Sequence, residues 1–353
     1  MLVDRTAAAT GVEPRRRRLL PVAALLVLAP WAAECSWGGF TASGFLFVVV
    51  LLAPMYGGAA VLIRETARHT GGGWPAIVLL AAAFGVFQAG LVDQALFNRA
   101  YLDDTEFRDW AATSARTLVP WLGFSAEQAF DYIGNHVALS ICAPIAIVES
   151  FLAPPRRHRP WLGGRGLAVV GILYILGSLL IFLDDSGRKN FMASPPQWTF
   201  GALVVLALIG AALLPRWHRP PRPRSGPVPR WYWVGLLVLG AHLGGWFVSG
   251  WPGVGVRVAA VVVTVAAIVV WSRREGWGQR HVLAAWSAGL VAAAAGAYVV
   301  PNYAPASPLA ALIGDVCISV IALALIGGAF WRLRGAPSVR PRRAPAEPPA
   351  RGC

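Results

Sequence analysis

Apolar stretches of roughly twenty residues alternate with short polar segments along almost the whole chain. A helix needs about 20 mostly apolar residues to cross about 30 Å of hydrocarbon, and ten stretches come close to that length. The pattern therefore predicts an all-α, polytopic bundle of about ten transmembrane helices. The predicted spans are residues 19–36, 41–63, 74–92, 134–153, 166–184, 198–215, 231–250, 256–272, 281–300 and 309–331.

The basic residues fall mainly in every second gap between these stretches. With a cytoplasmic amino terminus, the cytoplasmic segments hold 25 of the 31 Lys and Arg residues and the opposite segments hold 5, with Arg257 at a helix edge. Cytoplasmic loops of membrane proteins carry such an excess of basic residues. The distribution predicts that both termini are cytoplasmic and that the protein is a multi-pass protein of the plasma membrane.

Three regions divide the chain. Residues 1–18 are a basic cytoplasmic amino terminus, residues 19–331 hold the spans, and the Pro- and Arg-rich residues 332–353 are predicted to be a disordered cytoplasmic tail. The extracytoplasmic loop 93–134 is the one long segment between spans. Its sequence Ser-Ala-Glu-Gln at 125–128 has the form of a helix capping box, so we expect the loop to be partly helical and to pack on the outer face.

The composition changes how the net charge is interpreted. The chain is 56% hydrophobic and has a formal charge of +14, which in a soluble protein would suggest nucleic-acid binding. Here the basic residues flank apolar spans, so we expect them to contact the bilayer and its anionic headgroups at the cytoplasmic face, with no nucleic-acid partner. The four cysteines form no CxxC pair, so no metal site, disulfide framework or other cofactor is predicted.

Polar groups at membrane depth are costly, so each one is a candidate functional residue. Eight of them lie near the outer ends or the middle of their spans, and we predict that they converge on one outward-facing polar cavity. They are Glu34, Gln88, Asp93, Asn98, Asn135, His136, His242 and Asp315. Asp315 and His136 enter from the same side at similar depths, which predicts a shared polar interior. The alternative is that these residues have only structural roles. The histidines would then form hydrogen bonds in the interior, and carboxylates such as Glu34 and Asp93 would lie at the level of the lipid headgroups.

A second group is predicted on the cytoplasmic side. Glu149 follows His136 by 13 positions, which is about 20 Å of helix. It therefore cannot join the outer residues. Its expected ion partners are Arg64, Glu65 and the adjacent pair Arg156 and Arg157.

Small residues predict close helix packing. In the ninth span, Ala285, Gly289, Ala293 and Ala297 recur every four residues, and such ladders let helix backbones approach. Gly240 and Gly244 form a similar step in the seventh span. We expect the ninth helix to be buried within the bundle.

Several segments of the first half resemble known families. Three segments carry the first resemblance: Tyr-Gly-Gly-Ala-Ala-Val-Leu-Ile-Arg-Glu at residues 56–65, Gly-Trp-Pro-Ala at 73–76 and Phe-Gly-Val-Phe-Gln at 84–88. They resemble an uncharacterised group of actinobacterial multi-pass membrane proteins. The same region is more faintly similar to the CAAX-protease and bacteriocin-processing family of intramembrane enzymes. That family has a Glu-Glu-xxx-Arg helix and a Phe-xxx-His motif, which together bind metal and activate water.

This chain departs from the second family at its catalytic motif. Gln88 and Ala89 stand in place of the paired glutamates, although Tyr132-xxx-His136 is similar to the second motif. A glutamine cannot act as the carboxylate base for a metal-bound water. The resemblance therefore implies a non-catalytic relative.

Two classes of function remain open. The first is a non-enzymatic membrane protein, either a transporter or a scaffold, whose polar groups line an outward cavity. The second is an intramembrane hydrolase, or its inactive relative, centred on His136. The missing carboxylate pair favours the first class, whereas the lack of a clear internal repeat argues against a transporter.

Overall fold

Ten helices make up most of the computed structural model, which describes residues 15–217 and 224–334. The first fourteen residues of the basic amino terminus, and residues 335–353 of the predicted disordered tail, lie outside the described residues. Four of the helices contain a π-helical turn, a stretch in which the backbone widens to i→i+5 hydrogen bonds.

The helices are α1 (Arg15–Pro30, continued by the π-turn Trp31–Cys35), α2 (3₁₀ turn Ala42–Gly44, Phe45–Leu52, π-turn Ala53–Gly57, Gly58–Thr70), α3 (Gly73–Phe87, π-turn Gln88–Val92), α4 (Ala126–Asn135, π-turn His136–Cys142, Ala143–Phe151), α5 (Gly164–Lys189), α6 (Pro195–Ala212), α7 (Trp231–Gly244), α8 (Gly250–Trp271), α9 (Gln279–Gly296) and α10 (Pro308–Arg334).

Eight of these helices are long and apolar enough to cross a membrane, and together they mark an all-α membrane protein. The other two are α7, which has only 14 residues, and α9, whose first turn begins with Gln279, Arg280 and His281. Those three polar residues lower the mean hydropathy of α9.

Consecutive helices run in opposite directions, so the bundle has two ends. One end carries the segment 93–125, and we call it the loop side. The other end carries Arg64, Arg68 and Arg157, where α2 and α4 finish, and we call it the arginine side. The start of α9 belongs to the arginine side as well, because the Gln279 side chain donates to Ser150 Oγ at 3.2 Å.

The core of the bundle is formed by α1, α2, α3, α4 and α9. In the most apolar window of α4, 78% of the residues are buried, compared with 6% in α8 and 11% in α6. The burial of α9 is confirmed, since most of its residues are inaccessible, including Ala285, Gly289 and Ala293. The prediction for Gly240 and Gly244 was wrong: a Cβ at either position would lie in open space.

The loop between α3 and α4 is partly helical, which confirms that expectation. It contains a short helix, Arg108–Ser114, and a two-stranded hairpin of β1 (Leu118–Val119) and β2 (Phe124–Ser125). The predicted start of the fourth span at residue 134 was wrong, because α4 begins at Ala126. The Ser125 hydroxyl accepts from the Gln128 amide at 3.2 Å and caps the helix. Hydropathy misses this first part of α4 since it is amphipathic.

The second span was also predicted too short. α2 continues past residue 63 to Thr70, where Gly71 takes a left-handed conformation with φ of 74° and ends the helix. Arg64 and Glu65 lie within this extension and are fully buried. Charged residues normally mark the end of an apolar run, but here ion pairing lets the helix continue into the protein interior.

Candidate functional site

The four π-turns place polar residues in the core of the bundle. Glu34, Tyr56, Gln88 and His136 lie one each in the π-turns of α1 to α4. Prolines adjoin three of these turns: Pro30 precedes the first, Pro54 lies in the second and Pro144 follows the fourth. Proline lacks an amide N–H and cannot complete the regular helical ladder. Such turns are frequent at functional sites.

Glu34 and His136 converge on Tyr56. The Tyr56 hydroxyl donates to Glu34 Oε1 at 2.5 Å, and the centroids of the Tyr56 and His136 rings are 5.7 Å apart. Phe84 of α3 closes the group, with its ring centroid 5.4 Å from that of His136. His136 Nδ1 lies 3.2 Å from Ser140 Oγ in the same π-turn. Side chains of α1, α2, α3 and α4 therefore meet here.

Asp93 extends the site toward the loop side. It lies directly after α3 and accepts hydrogen bonds from the Ala95 amide at 2.9 Å and from Gln88 Nε2 at 3.4 Å. Burial raises the pKa of Asp93 to about 8. Gln88 is only 1% exposed, and its Oε1 has no hydrogen-bond partner in the described part of the chain. An acceptor left unpaired in the interior indicates a site that is incomplete without a further polar group.

A third carboxyl, on α5, belongs to the same site. Asp185 is buried, accepts a hydrogen bond from the Tyr101 hydroxyl at 3.3 Å and pairs with Arg188 at 2.8 Å. Asp93 interacts electrostatically with both Glu34 and Asp185. We call these three carboxyls the acidic cluster. Among the described residues, no Lys, Arg or His forms an ion pair with Glu34 or Asp93.

Aromatic side chains cover the acidic cluster on the loop side. Tyr303, from the segment between α9 and α10, interacts electrostatically with all three carboxyls. Its ring packs edge-on against Trp37 and Phe107, with centroids 5.3 and 5.2 Å away, and beside Phe40 at 5.2 Å. We call these four residues the aromatic cap. Burial raises the pKa of Tyr303 and of Tyr101 well above the usual value, so both phenols remain hydrogen-bond donors.

Sequence reasoning missed Asp185 and the tyrosines of this site. Asp185 was overlooked because it lies one residue beyond the predicted fifth span, at a place typical of headgroup contacts. Tyr56, Tyr101 and Tyr303 were overlooked because tyrosine is common at membrane interfaces. Prolines could have indicated three of the four π-turns, but no proline lies in or beside the third, Gln88–Val92.

The predicted cytoplasmic-side group lies on the arginine side as a buried ion network. Arg64 Nε donates to Glu149 Oε1 at 3.1 Å, and Arg64 also pairs with its neighbour Glu65. All three side chains are fully inaccessible. The Arg64 guanidinium stacks 3.5 Å above the Trp161 ring, and Glu65 Oε2 accepts from the Trp161 amide at 2.8 Å. The network thus joins α2, α4 and the segment before α5.

Two further arginines complete the network. Arg68 donates from Nη2 to both carboxylate oxygens of Glu149, at 2.8 and 2.7 Å. Arg157 Nε donates to the backbone oxygens of Glu149 and Leu152, at 2.9 and 2.8 Å. Arg156 joins the network through its backbone oxygen, which accepts from Arg64 Nη2 at 3.4 Å. Every charge is therefore hydrogen-bonded, as a buried ion network requires.

The remaining predicted cavity residues do not join the acidic cluster. Asn98 is buried, but its Oδ1 accepts from the Ala100 amide at 3.1 Å and stabilises a local turn. Asn135 is exposed on the surface of α4. Asp315 is buried in α10 and has no hydrogen-bond or ion partner among the described residues. The expected proximity of Asp315 to His136 is not seen as a contact.

His242 lies at a different helix interface from His136. A Cβ at Gly289 of α9 would be 3.2 Å from His242 Nε2 and 3.3 Å from Ala138 Cβ. Ala138 follows His136 by two positions, which is more than half a turn of helix, so the two histidines face different sides of α4. Among the described residues, no group of three or more His, Cys, Asp or Glu side chains could hold a metal ion.

The comparisons with known proteins place this chain in no family. No family model, curated protein or solved structure matches it. The two resemblances noted from the sequence therefore stay predictions, and any function must be argued from the site itself.

Proposed function

We propose that this protein is a non-enzymatic transporter with ten spans in the plasma membrane, which exchanges protons for a small cationic solute. The acidic cluster carries the proposal. Glu34 and Asp93 interact electrostatically, and neither has a cationic partner among the described residues. Neighbouring carboxylates in a low-dielectric interior cannot all be ionised unless a proton or another cation neutralises them. A scaffold would gain nothing from such a cluster.

The orientation follows from the basic residues. The helix ends on the arginine side adjoin the segments that the sequence predicts to be cytoplasmic, and those segments hold 25 of the 31 Lys and Arg residues. This supports a cytoplasmic position for the arginine side and for both termini. The loop side is then extracytoplasmic. The acidic cluster lies nearer this outer side, so it would take up its cation from outside the cell.

Access to the cluster is closed at both ends. The aromatic cap covers it on the loop side, and the ion network joins α2 to α4 on the arginine side. Transport would require these two closures to open in turn, the cap toward the outside and the network toward the cytoplasm. The aromatic cap and the ion network each join side chains from different helices and loops. A movement between those helices and loops would therefore open either one.

A reconstitution experiment tests the proposal. The full chain is placed in proteoliposomes that enclose a pH-sensitive dye, and Na⁺, K⁺ or methylammonium is added outside. We expect at least one of these cations to drive proton movement through the wild-type protein, and Glu34→Gln or Asp93→Asn to abolish most of it, because each variant removes a carboxyl that would carry the proton or the cation.

The matched control is Asp109→Asn, which removes a carboxyl that is exposed in the loop. It should leave the rate unchanged. No proton movement with any of the three cations, or equal movement in the wild type and both cluster variants, would contradict the proposal.

A further inference from the structure

A cavity of about 390 Å³ opens on the arginine side, where α7 and α9 begin and α10 ends. Ligand pockets of proteins have volumes from about 300 to 1,000 Å³. Its lining is Trp231, Arg280, Gly327, Phe330, Trp331 and Arg334. The cavity lies at the opposite end of the bundle from the aromatic cap and shares no residue with the acidic cluster.

One wall of this cavity is apolar and faces the membrane interface. The rings of Trp231 and Phe330 pack with their centroids 4.4 Å apart, and Trp331 is 75% exposed. Tryptophan prefers the headgroup depth of a bilayer. At Gly327 an added Cβ would find no atom within 4 Å, so this glycine leaves a slot open along α10.

The rim of the cavity is basic. Arg280 Nη2 donates to the Leu333 backbone oxygen at 2.8 Å, which fixes the guanidinium between the ends of α9 and α10. Its other N–H groups have no partner among the described residues. Arg334 is exposed at the end of α10, and none of the acidic side chains in residues 15–217 and 224–334 lines the cavity. Guanidinium groups bind phosphate oxygens through paired, charge-assisted hydrogen bonds.

We propose that this cavity binds the headgroup of one anionic phospholipid from the adjacent leaflet. The phosphate lies between Arg280 and Arg334, and the glycerol and upper acyl chain lie against Trp231 and Phe330. Basic pockets between membrane helices recognise anionic lipids in this way. The site is independent of the transport proposal, because it rests on different residues at the other end of the bundle.

Native mass spectrometry of the purified full chain tests this site. The protein is titrated separately with phosphatidylglycerol and phosphatidylcholine, and bound lipid is counted. We expect wild-type protein to retain phosphatidylglycerol at least tenfold more tightly. Arg334→Ala should lower that affinity roughly tenfold, since a hydrogen bond to a charged group contributes about 1.5–3 kcal/mol. Gly327→Leu should fill the slot and abolish the preference.

Two controls separate the lipid site from general charge effects. Arg332→Ala removes an exposed arginine of the same helical turn that does not line the cavity, and it should retain the wild-type preference. Inorganic phosphate should not displace the lipid at millimolar concentration. Equal binding of the two lipids, a preference that survives both Arg334→Ala and Gly327→Leu, or displacement by inorganic phosphate would overturn the proposal. Arg334 is exposed, so its variant remains informative even if Gly327→Leu does not fold.

Discussion

Glu149 is the residue on which the buried ion network depends. It is fully inaccessible and pairs with both Arg64 and Arg68. Removing one partner of a buried ion network leaves an uncompensated charge, which typically costs about 3–5 kcal/mol. We therefore expect Glu149→Gln to lower the free energy of unfolding by that amount, measured by denaturant titration in detergent micelles.

An exposed ion pair provides the comparison. Asp104, which is 60% exposed, pairs with Lys189 on the loop side. Exposed pairs contribute about 0–1 kcal/mol, so Asp104→Asn should have little effect. Equal losses in the two variants would show that the buried network contributes no more than a surface pair.

Asp93 predicts a pH dependence of stability. Burial raises its pKa to about 8, whereas 3.8 is the ordinary value that the unfolded chain should show. The folded state therefore favours protonated Asp93. This contribution is fully present below about pH 4 and is lost as the pH rises through 8.

Asp93→Asn imitates the protonated carboxyl. The variant should match the wild type at pH 4 and be clearly more stable than the wild type at pH 9, where the wild-type carboxyl must ionise in the folded state. Melting curves in detergent at both pH values measure this difference. Asp109→Asn is the control, and a constant gap between wild type and Asp93→Asn across the pH range would contradict the assigned pKa.

The residues whose role could be predicted from the sequence are those that can be buried only with a partner. A lone Glu149 in an apolar helix must find a cation, and Arg64 lay at the corresponding depth. Arg68 could not be predicted in the same way, because basic residues at span ends usually contact headgroups. Asp315 shows the limit of that reasoning: it is buried without a partner in the described part of the chain.

Among the helices, identical small-residue patterns have different outcomes. Gly289 of α9 faces His242 and Ala138 at 3.2 and 3.3 Å from an added Cβ, whereas Gly240 of α7 faces open space. Spacing alone cannot distinguish these cases, because it gives the face of the helix but not what lies opposite. The neighbouring helices decide whether a glycine is needed.

A pair of leucine substitutions tests this difference. Gly289→Leu forces extra volume into a packed interface, which typically costs about 1–3 kcal/mol. Gly240→Leu adds volume where there is room and raises helix propensity, so it should not destabilise the protein. Thermal unfolding in detergent compares the two. A larger loss for Gly240→Leu than for Gly289→Leu would mean that the packing of α9 is not as described.

For the molecule as a whole, the apolar pattern predicted an all-α membrane protein, and the structure confirms that class. The apolar pattern could not predict which helices form the core of the bundle. These are α1 to α4 and α9, whereas α5, α6, α8 and α10 lie at its periphery. Mean hydropathy does not separate the two groups, because the buried α4 and the exposed α6 have the same value of 1.4. Both lipid and protein interiors favour apolar residues.

Cysteine accessibility tests the predicted membrane topology. Asp109 is exposed on the loop side and Arg273 is exposed after α8 on the arginine side. Single Asp109→Cys and Arg273→Cys variants are made in a chain whose four native cysteines are replaced, and intact cells are treated with a membrane-impermeant maleimide. The excess of basic residues on the arginine side predicts labelling of Asp109→Cys in intact cells and of Arg273→Cys only after permeabilisation. The reverse result would invert the protein and place the acidic cluster toward the cytoplasm, whereas labelling of both positions in intact cells would contradict the predicted ten-span arrangement.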